Sequence, residues 1–146
     1  MRSAIDQRIQ TGLEADYIEE DTDTIQLAKN QLTEYFGEGR KVFNIPLLMV
    51  GTSFQKSVWD ELLKIPFGRT ESYLGLSRRL NNENAIRAVA AANGANALSI
   101  FIPCHRIVGS KNELTGYAGG LSVKKKLLKL EGSYKQGDQL AIELFN

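Results

Sequence analysis

Between Thr52 and Gly94 the sequence carries start and stop signals for three short helices, and this punctuation constrains the fold more than any other feature. Thr52-Ser53-Phe54-Gln55 reads as a capping box, in which Thr52 and Gln55 satisfy each other's backbone donors. Phe54, Val58, Leu62 and Ile65 follow at helical spacing until Pro66 stops the run. Ser72 is placed to cap a helix to Leu80, Asn81-Asn82-Glu83-Asn84 makes a polar turn, and Ala85 to Ala92 forms an alanine-rich helix ending near Gly94. The expected product is helix, tight turn, helix. Leu98 to Ile102 has the composition of a strand, which Pro103 would end by withholding a ladder donor. Ile107 to Tyr117 reads as a loop. Beyond it Ser122 is expected to cap a last helix with Val123, Leu127 and Leu130 inward and Gly132 as terminator.

The first 50 residues are different in character. They hold 5 Lys/Arg against 9 Asp/Glu, whereas residues 51 to 146 hold 13 against 8. This change places a boundary near Gly51, giving an N-terminal lobe (1–50), a second domain (51–134) and a C-terminal tail (135–146). Within the lobe, Ile25, Ala28, Leu32 and Phe36 make a helical stripe over Thr24 to Phe36 with Gly37 to terminate it. Lys41 to Val50 reads as extended, and Ile5, Ile9 and Leu13 fit a weak helix. Residues 69 to 129 concentrate 10 basic side chains against 3 acidic ones, a bias suited to a polyanionic partner. For Lys124-Lys125-Lys126 taken alone, a solvated helix face is the simpler reading.

At 146 residues and 42% hydrophobic content the chain can bury a substantial core. No apolar stretch approaches a membrane span, and Met1 to Asp6 lacks the apolar region of a signal peptide, so a reducing, cytoplasmic location is expected. Cys104 is the sole cysteine and His105 the sole histidine. One of each completes neither a disulfide nor a structural zinc site, so no metal is expected. An isolated cysteine is often a small buried hydrophobe. Here, however, a possible base follows it directly, a helix pair precedes it in a basic segment, and Gly116-Tyr117-Ala118-Gly119-Gly120 offers close backbone approach. That conjunction points to thiolate chemistry on DNA.

These residues resemble the O6-alkylguanine-DNA alkyltransferases, which move alkyl groups from damaged guanine onto their own cysteine. The likeness runs from about Thr52 to Gly132. It is carried by Phe54-Gln55-Lys56-Ser57-Val58-Trp59, Ile65-Pro66-Phe67-Gly68, Ser72-Tyr73, Ile86-Arg87-Ala88-Val89, Ile102-Pro103-Cys104-His105-Arg106-Ile107-Val108, Gly116 to Leu121, and Leu127-Leu128-Lys129-Leu130-Glu131-Gly132. Thr22 to Val50 is similar to the end of the family's N-terminal lobe. The chain departs from the family's usual residues at Ala90, Ala97 and Ser99.

The resemblance implies an α/β protein with a small, reduced ribonuclease-H-like N-terminal lobe and a mainly helical C-terminal domain carrying a winged helix-turn-helix-like motif. It makes Cys104 the acceptor, His105 its base through a water, Glu131 the carboxylate that polarises the imidazole, and Tyr73 the phenol that assists the leaving base. Arg87 becomes the finger filling the gap of the extruded nucleotide, with Tyr73, Ser72 and Ala88 against DNA. Ile107, Tyr117 and Ala118 would meet the base, and Asn96 would tie the recognition helix to the active-site loop. The implied partner is double-stranded DNA containing alkylated guanine, engaged by a monomer, in a stoichiometric reaction that requires no cofactor. Two other readings of Cys104 and His105 stay open from the residues: an alkylguanine-DNA binder without repair, and a cysteine hydrolase or redox sensor that never meets DNA.

Overall fold

Thr52 opens the second half of the chain by accepting the Gln55 N–H on its hydroxyl (3.1 Å), while the Gln55 side chain accepts the Thr52 N–H (3.0 Å). The computed structural model describes residues 2–134, so the tail at 135–146 lies outside the described residues. The elements are α1 (Arg2–Leu13), α2 (Asp23–Phe36), α3 (Ser53–Leu63), β1 (Glu71–Ser72), α4 (Tyr73–Arg79), α5 (Ile86–Gly94), β2 (Ile107–Val108) and α6 (Leu121–Leu130). They fall into two compact units that divide after Gly51.

In the unit of residues 2–51 the buried face of α2 is Gln31 and Tyr35, with Ala28 and Leu32 half-buried. Ile25 and Phe36, expected inside, are 40% and 53% exposed, so the stripe is rotated from the one first drawn. The cause is visible at Gln31. Its amide accepts from the Asn44 N–H (2.8 Å) and donates to the Asn44 carbonyl (3.1 Å), imitating a strand partner for the extended segment. Tyr35 packs against Phe43 beside it. A ribonuclease-H-like sheet is not seen among the described residues of this unit. With only one extended stretch and its backbone met by a glutamine side chain, there is nothing for it to pair with. Helix α1 does form over Ile5, Ile9 and Leu13.

In the unit that begins at Thr52, α3, α4 and α5 pack around Val58, Trp59, Leu62, Leu76, Val89 and Ala92, all nearly inaccessible to solvent. Trp59 donates its indole N–H to the Ala92 carbonyl (2.9 Å), pinning α3 to the end of α5. Ser72 caps α4 by accepting the Gly75 N–H (2.9 Å). Asn81, at φ +56°, ends α4: the Asn81 and Asn82 N–H groups return to the Arg78 and Ser77 carbonyls at 2.9 and 3.0 Å. This closes the tight turn, whose later residues wind into a 3-10 turn (Glu83–Ala85) leading into α5.

Three expectations change. Leu98 to Ile102 is a turn and not a strand: the Ile102 N–H reaches the Leu98 carbonyl (2.9 Å) and Ile100 takes φ +76°. Buried Asn96 supplies the reason, accepting from the Leu98 N–H and donating to the Ile102 carbonyl, both at 2.9 Å, so side-chain bonds replace a ladder. The sheet is instead the two-residue parallel pair β1 and β2, with Glu71 opposite Ile107 and Ser72 opposite Val108, so the segment read as a loop begins as a strand. The fold is mainly helical with this small sheet, and it is α/β only in that sense. Finally, Ser122 does not cap α6. The chain enters through Gly120 at φ +93°, one residue before the helix starts, and α6 buries Lys124, Leu127 and Leu128 while Val123 is 41% exposed.

Candidate active site

Pro103 fixes the approach to the cysteine. At φ −82° and ψ 64° it is the centre of an inverse γ-turn, with the Cys104 N–H donating to the Ile102 carbonyl (2.8 Å). Cys104, His105 and Arg106 then make a single 3-10 turn that sends three successive side chains in different directions. The Cys104 carbonyl accepts from the Ile107 N–H and, at 3.3 Å, from the Asn93 amide of α5. The turn is thereby tied to the recognition helix candidate.

His105 is fully buried. Its Nε2 lies 2.8 Å from Glu131 Oε1, and its Nδ1 has no hydrogen-bond partner. Glu131 sits at the C-terminal end of α6, where Gly132 at φ +73° lets the Ser133 N–H fold back on the Leu128 carbonyl (2.9 Å). Arg106 holds the same carboxylate in a two-pronged grip, Nε to Oε2 and Nη2 to Oε1, each 2.9 Å, and donates Nη1 to the Ile65 carbonyl (2.6 Å). Burial pushes the Glu131 acid up, but hydrogen bonds and charge from His105 and Arg106 overcome it and bring it down to about 2. An ionised carboxylate at Oε1 keeps the shared proton on His105 Nε2, which leaves the Nδ1 lone pair bare. Burial also lowers the imidazole's own value, so His105 is neutral at pH 7, with its Nδ1 lone pair free to accept a proton.

Cys104 is 3% exposed and lines a cavity of about 310 Å³ together with Tyr73, Ala90, Ala91, Asn93, Gly94, Gly116, Tyr117 and Ala118. Burial raises the thiol, while Asn96, the charge of Lys124 and Ser99 act in the opposite direction. The resting group is therefore a thiol that needs a base. Tyr73 donates its hydroxyl to the Thr115 carbonyl (3.0 Å), and burial, more than that bond offsets, raises its ionisation so that it stays a donor. Burial and the neighbouring Cys104 push the Tyr117 phenol up to about 12.

Of the residues singled out in the sequence, Cys104, Tyr73, Tyr117 and Ala118 meet at this cavity, and His105 and Glu131 form the buried pair reached from the same turn. Arg87 and Ala88 lie exposed on α5, whose other face is buried by Val89, Ala92 and Asn93. Arg87 makes no ion pair among the described residues, unlike Arg78 with Glu83 and Arg79 with Glu71. Ser72 spends its hydroxyl on the α4 cap. Ile107 is buried in the ladder and Asn96 stands behind the loop, so neither is among the residues lining the cavity. Sequence reasoning missed three residues: Asn93, Arg106 and Lys124. The last is fully buried and donates to the Thr115 and Gly116 carbonyls at 3.1 and 3.3 Å. No sequence signal separates it from Lys125 and Lys126.

Residues 53–133 match the family model described as 6-O-methylguanine DNA methyltransferase, DNA binding domain. The chain is 48% identical to a methylated-DNA--protein-cysteine methyltransferase of Methanosarcina acetivorans over 106 residues, covering 73% of this chain and 68% of the relative. It is 45% identical over 118 residues to the constitutive methylated-DNA--protein-cysteine methyltransferase of Bacillus subtilis, covering 80% and 72%. Its structure is similar to the crystal structure of Mycobacterium tuberculosis OGT in complex with DNA, with TM-score 0.73 and 41% identity, covering 81% of this chain and 73% of that one. A fold and a sequence so closely shared over most of its length place this chain in the O6-methylguanine-DNA methyltransferase family.

Proposed function

We propose that this protein is a methylated-DNA--protein-cysteine methyltransferase that repairs O6-methylguanine in double-stranded DNA by one irreversible transfer of the methyl group to Cys104 Sγ. The observation that carries the reading is the bare Nδ1 of a neutral, carboxylate-locked His105 beside the sole cysteine, on the turn that opens into the cavity.

The Cys104 proton passes to His105 Nδ1 through a bridging water, and the thiolate attacks the methyl carbon in line with the C–O bond. The S–C bond forms as the C–O bond breaks, the electron pair goes to the guanine oxygen, and the proton held on His105 returns to the departing base. Tyr73, a phenol that remains protonated, supplies a donor as charge develops on that base. Tyr117 and Ala118 border the space the base enters. Every bond made or broken belongs to the cysteine, the nucleotide or the proton relay through water and His105, so the reaction as written uses no cofactor or metal. No later step breaks the S–CH3 bond, from which a thiolate would be a poor leaving group, and this makes the reaction stoichiometric.

Chemistry on a paired base requires extrusion, at a cost of a few kcal/mol that is smaller for a mispaired lesion. Helices α4 and α5 with their tight turn form the helix-turn-helix-like reader, and the exposed side of α5 presents Arg87 beside Ala88, Ala90 and Ala91. Small residues permit close approach, and unpaired Arg87 takes the place of the nucleotide that has left. Cys104, His105, Glu131 and Tyr73 come from the same chain, so the reaction as written needs no second copy and we take the acting form to be a monomer. No described helix is long and apolar enough to cross a membrane, and a sole reactive thiol is best kept reduced in the cytoplasm.

The test is intact-protein mass spectrometry after mixing with duplex containing O6-methylguanine. A gain of one methyl, mapped to Cys104 and absent in Cys104→Ser, is expected; binding without that gain overturns the proposal.

A further inference from the structure

Lys124 presents a problem that methyl transfer by Cys104 and His105 leaves unsolved. An ammonium group with no accessible surface is costly unless an anion faces it. Lys124 forms no ion pair with a carboxylate among the described residues, and its hydrogen bonds go to two neutral carbonyls, Thr115 and Gly116. Gly116 lines the cavity with Cys104, and the carbonyl of Thr115 just before it also accepts the hydroxyl of Tyr73, another lining residue. An ammonium has three donors, and two are used.

We infer that Lys124 is the counter-ion of the Cys104 thiolate formed during the reaction, and that methylation of Cys104, by making that anion impossible, loosens the ammonium from the Thr115 and Gly116 carbonyls beside the cavity. The inference rests on the methyltransferase reading above and extends it. The titratable groups facing this corner are Cys104, Tyr73 and Tyr117 at the cavity and His105, with Arg106 and Glu131 behind it. The carboxylate of that set is already gripped by Arg106. Of the rest, only Cys104 becomes an anion during the reaction. The electrostatics agree: burial lowers Lys124 to about 8 and Cys104 opposes that drop, while Lys124 in turn favours the ionised thiol. When the sulfur becomes a neutral thioether, no thiolate can form beside the buried ammonium, and Lys124 holds its proton less firmly than in the unmodified protein. In the methylated protein Lys124 then titrates at lower pH and holds the Thr115 and Gly116 carbonyls more weakly.

Because Cys104 is the sole cysteine, thiolate absorbance at 240 nm reports it alone. The experiment titrates the unmodified protein, Lys124→Met and Lys124→Arg, and follows alkylation by iodoacetamide at pH 7 in each. Lys124→Met is expected to ionise at higher pH and to be alkylated about tenfold more slowly, and Lys124→Arg to stay close to the parent. Loss of fold in Lys124→Met is covered by a second measurement that leaves Lys124 in place: NMR of ε-13C-lysine in the unmodified, Cys104→Ser and Cys104-methylated proteins. There the Lys124 signal titrates at lower pH whenever the thiolate cannot form. An unmoved thiolate titration, or a Lys124 titration indifferent to Cys104, overturns the inference. Neither measurement uses DNA, so failure of methyl transfer from duplex would instead count against the function proposed above.

Discussion

Replacing Glu131 by Gln isolates the charge that organises the buried pair, and the structure fixes both the size and the pH range of the effect. The carboxyl falls from its ordinary 4.5 to about 2 in the folded chain. At about 1.4 kcal/mol per pH unit, the ionised group favours folding by on the order of 3 kcal/mol. Removing one member of a buried pair costs about 3–5 kcal/mol, in agreement. Because the folded value is the lower one, this stability is fully present above the unfolded pKa and is lost as pH falls from about 5 towards 2. Below that range Glu131 carries a proton and resembles the glutamine. Urea unfolding of parent and Glu131→Gln should therefore differ by about 3 kcal/mol at pH 7, with the difference narrowing steadily below pH 5. His105 adds a separate loss in both proteins: its lowered value means the unfolded chain binds a proton, below about pH 6.5, that the folded chain refuses. A difference that stays constant from pH 7 to pH 2 would refute the assignment of an ionised, Arg106-held Glu131.

Two further outcomes follow from neighbouring geometry. Asn96→Ala removes two 2.9 Å hydrogen bonds from a buried side chain. It should lower stability by about 2 kcal/mol in denaturant unfolding and slow methyl uptake by misplacing the Cys104 turn. Arg87→Ala leaves the fold intact, because the side chain is exposed and makes no ion pair among the described residues. Methyl transfer from duplex should fall on the order of a hundredfold, the value of a few kcal/mol of extrusion, while transfer from a free methylated base is unchanged.

What could be read from the sequence was whatever a local signal decides. The Thr52–Gln55 box, the Ser72 cap, the Asn81 turn and Gly132 act within a few residues, and each does so in the structure. Cys104, His105 and Glu131 were legible through motif and not through spacing, since nothing local brings residue 131 to residue 105. Two of the misreadings share one cause. Leu98 to Ile102 has strand composition, but a side chain two residues upstream competes for its backbone. Gln31 does the same for the extended segment of the first unit. A polar side chain that takes over backbone hydrogen bonds leaves no periodic trace, and neither does a lysine turned inward from a basic run.

The two cations near the reacting sulfur are not interchangeable, and their placement follows the charges they face. Glu131 must stay ionised throughout the reaction, and its partner is a guanidinium, which does not give up its proton and matches a carboxylate with two parallel donors. Cys104 is anionic only between deprotonation and transfer, and facing it is an ammonium brought by burial to about 8, which can lose its charge when the anion disappears. A titratable cation at position 106 would allow Glu131 to take the proton that must remain on His105 Nε2. Each basic residue thus has the protonation chemistry its own anion requires, and Arg106→Lys should impair the first stage of the reaction through His105.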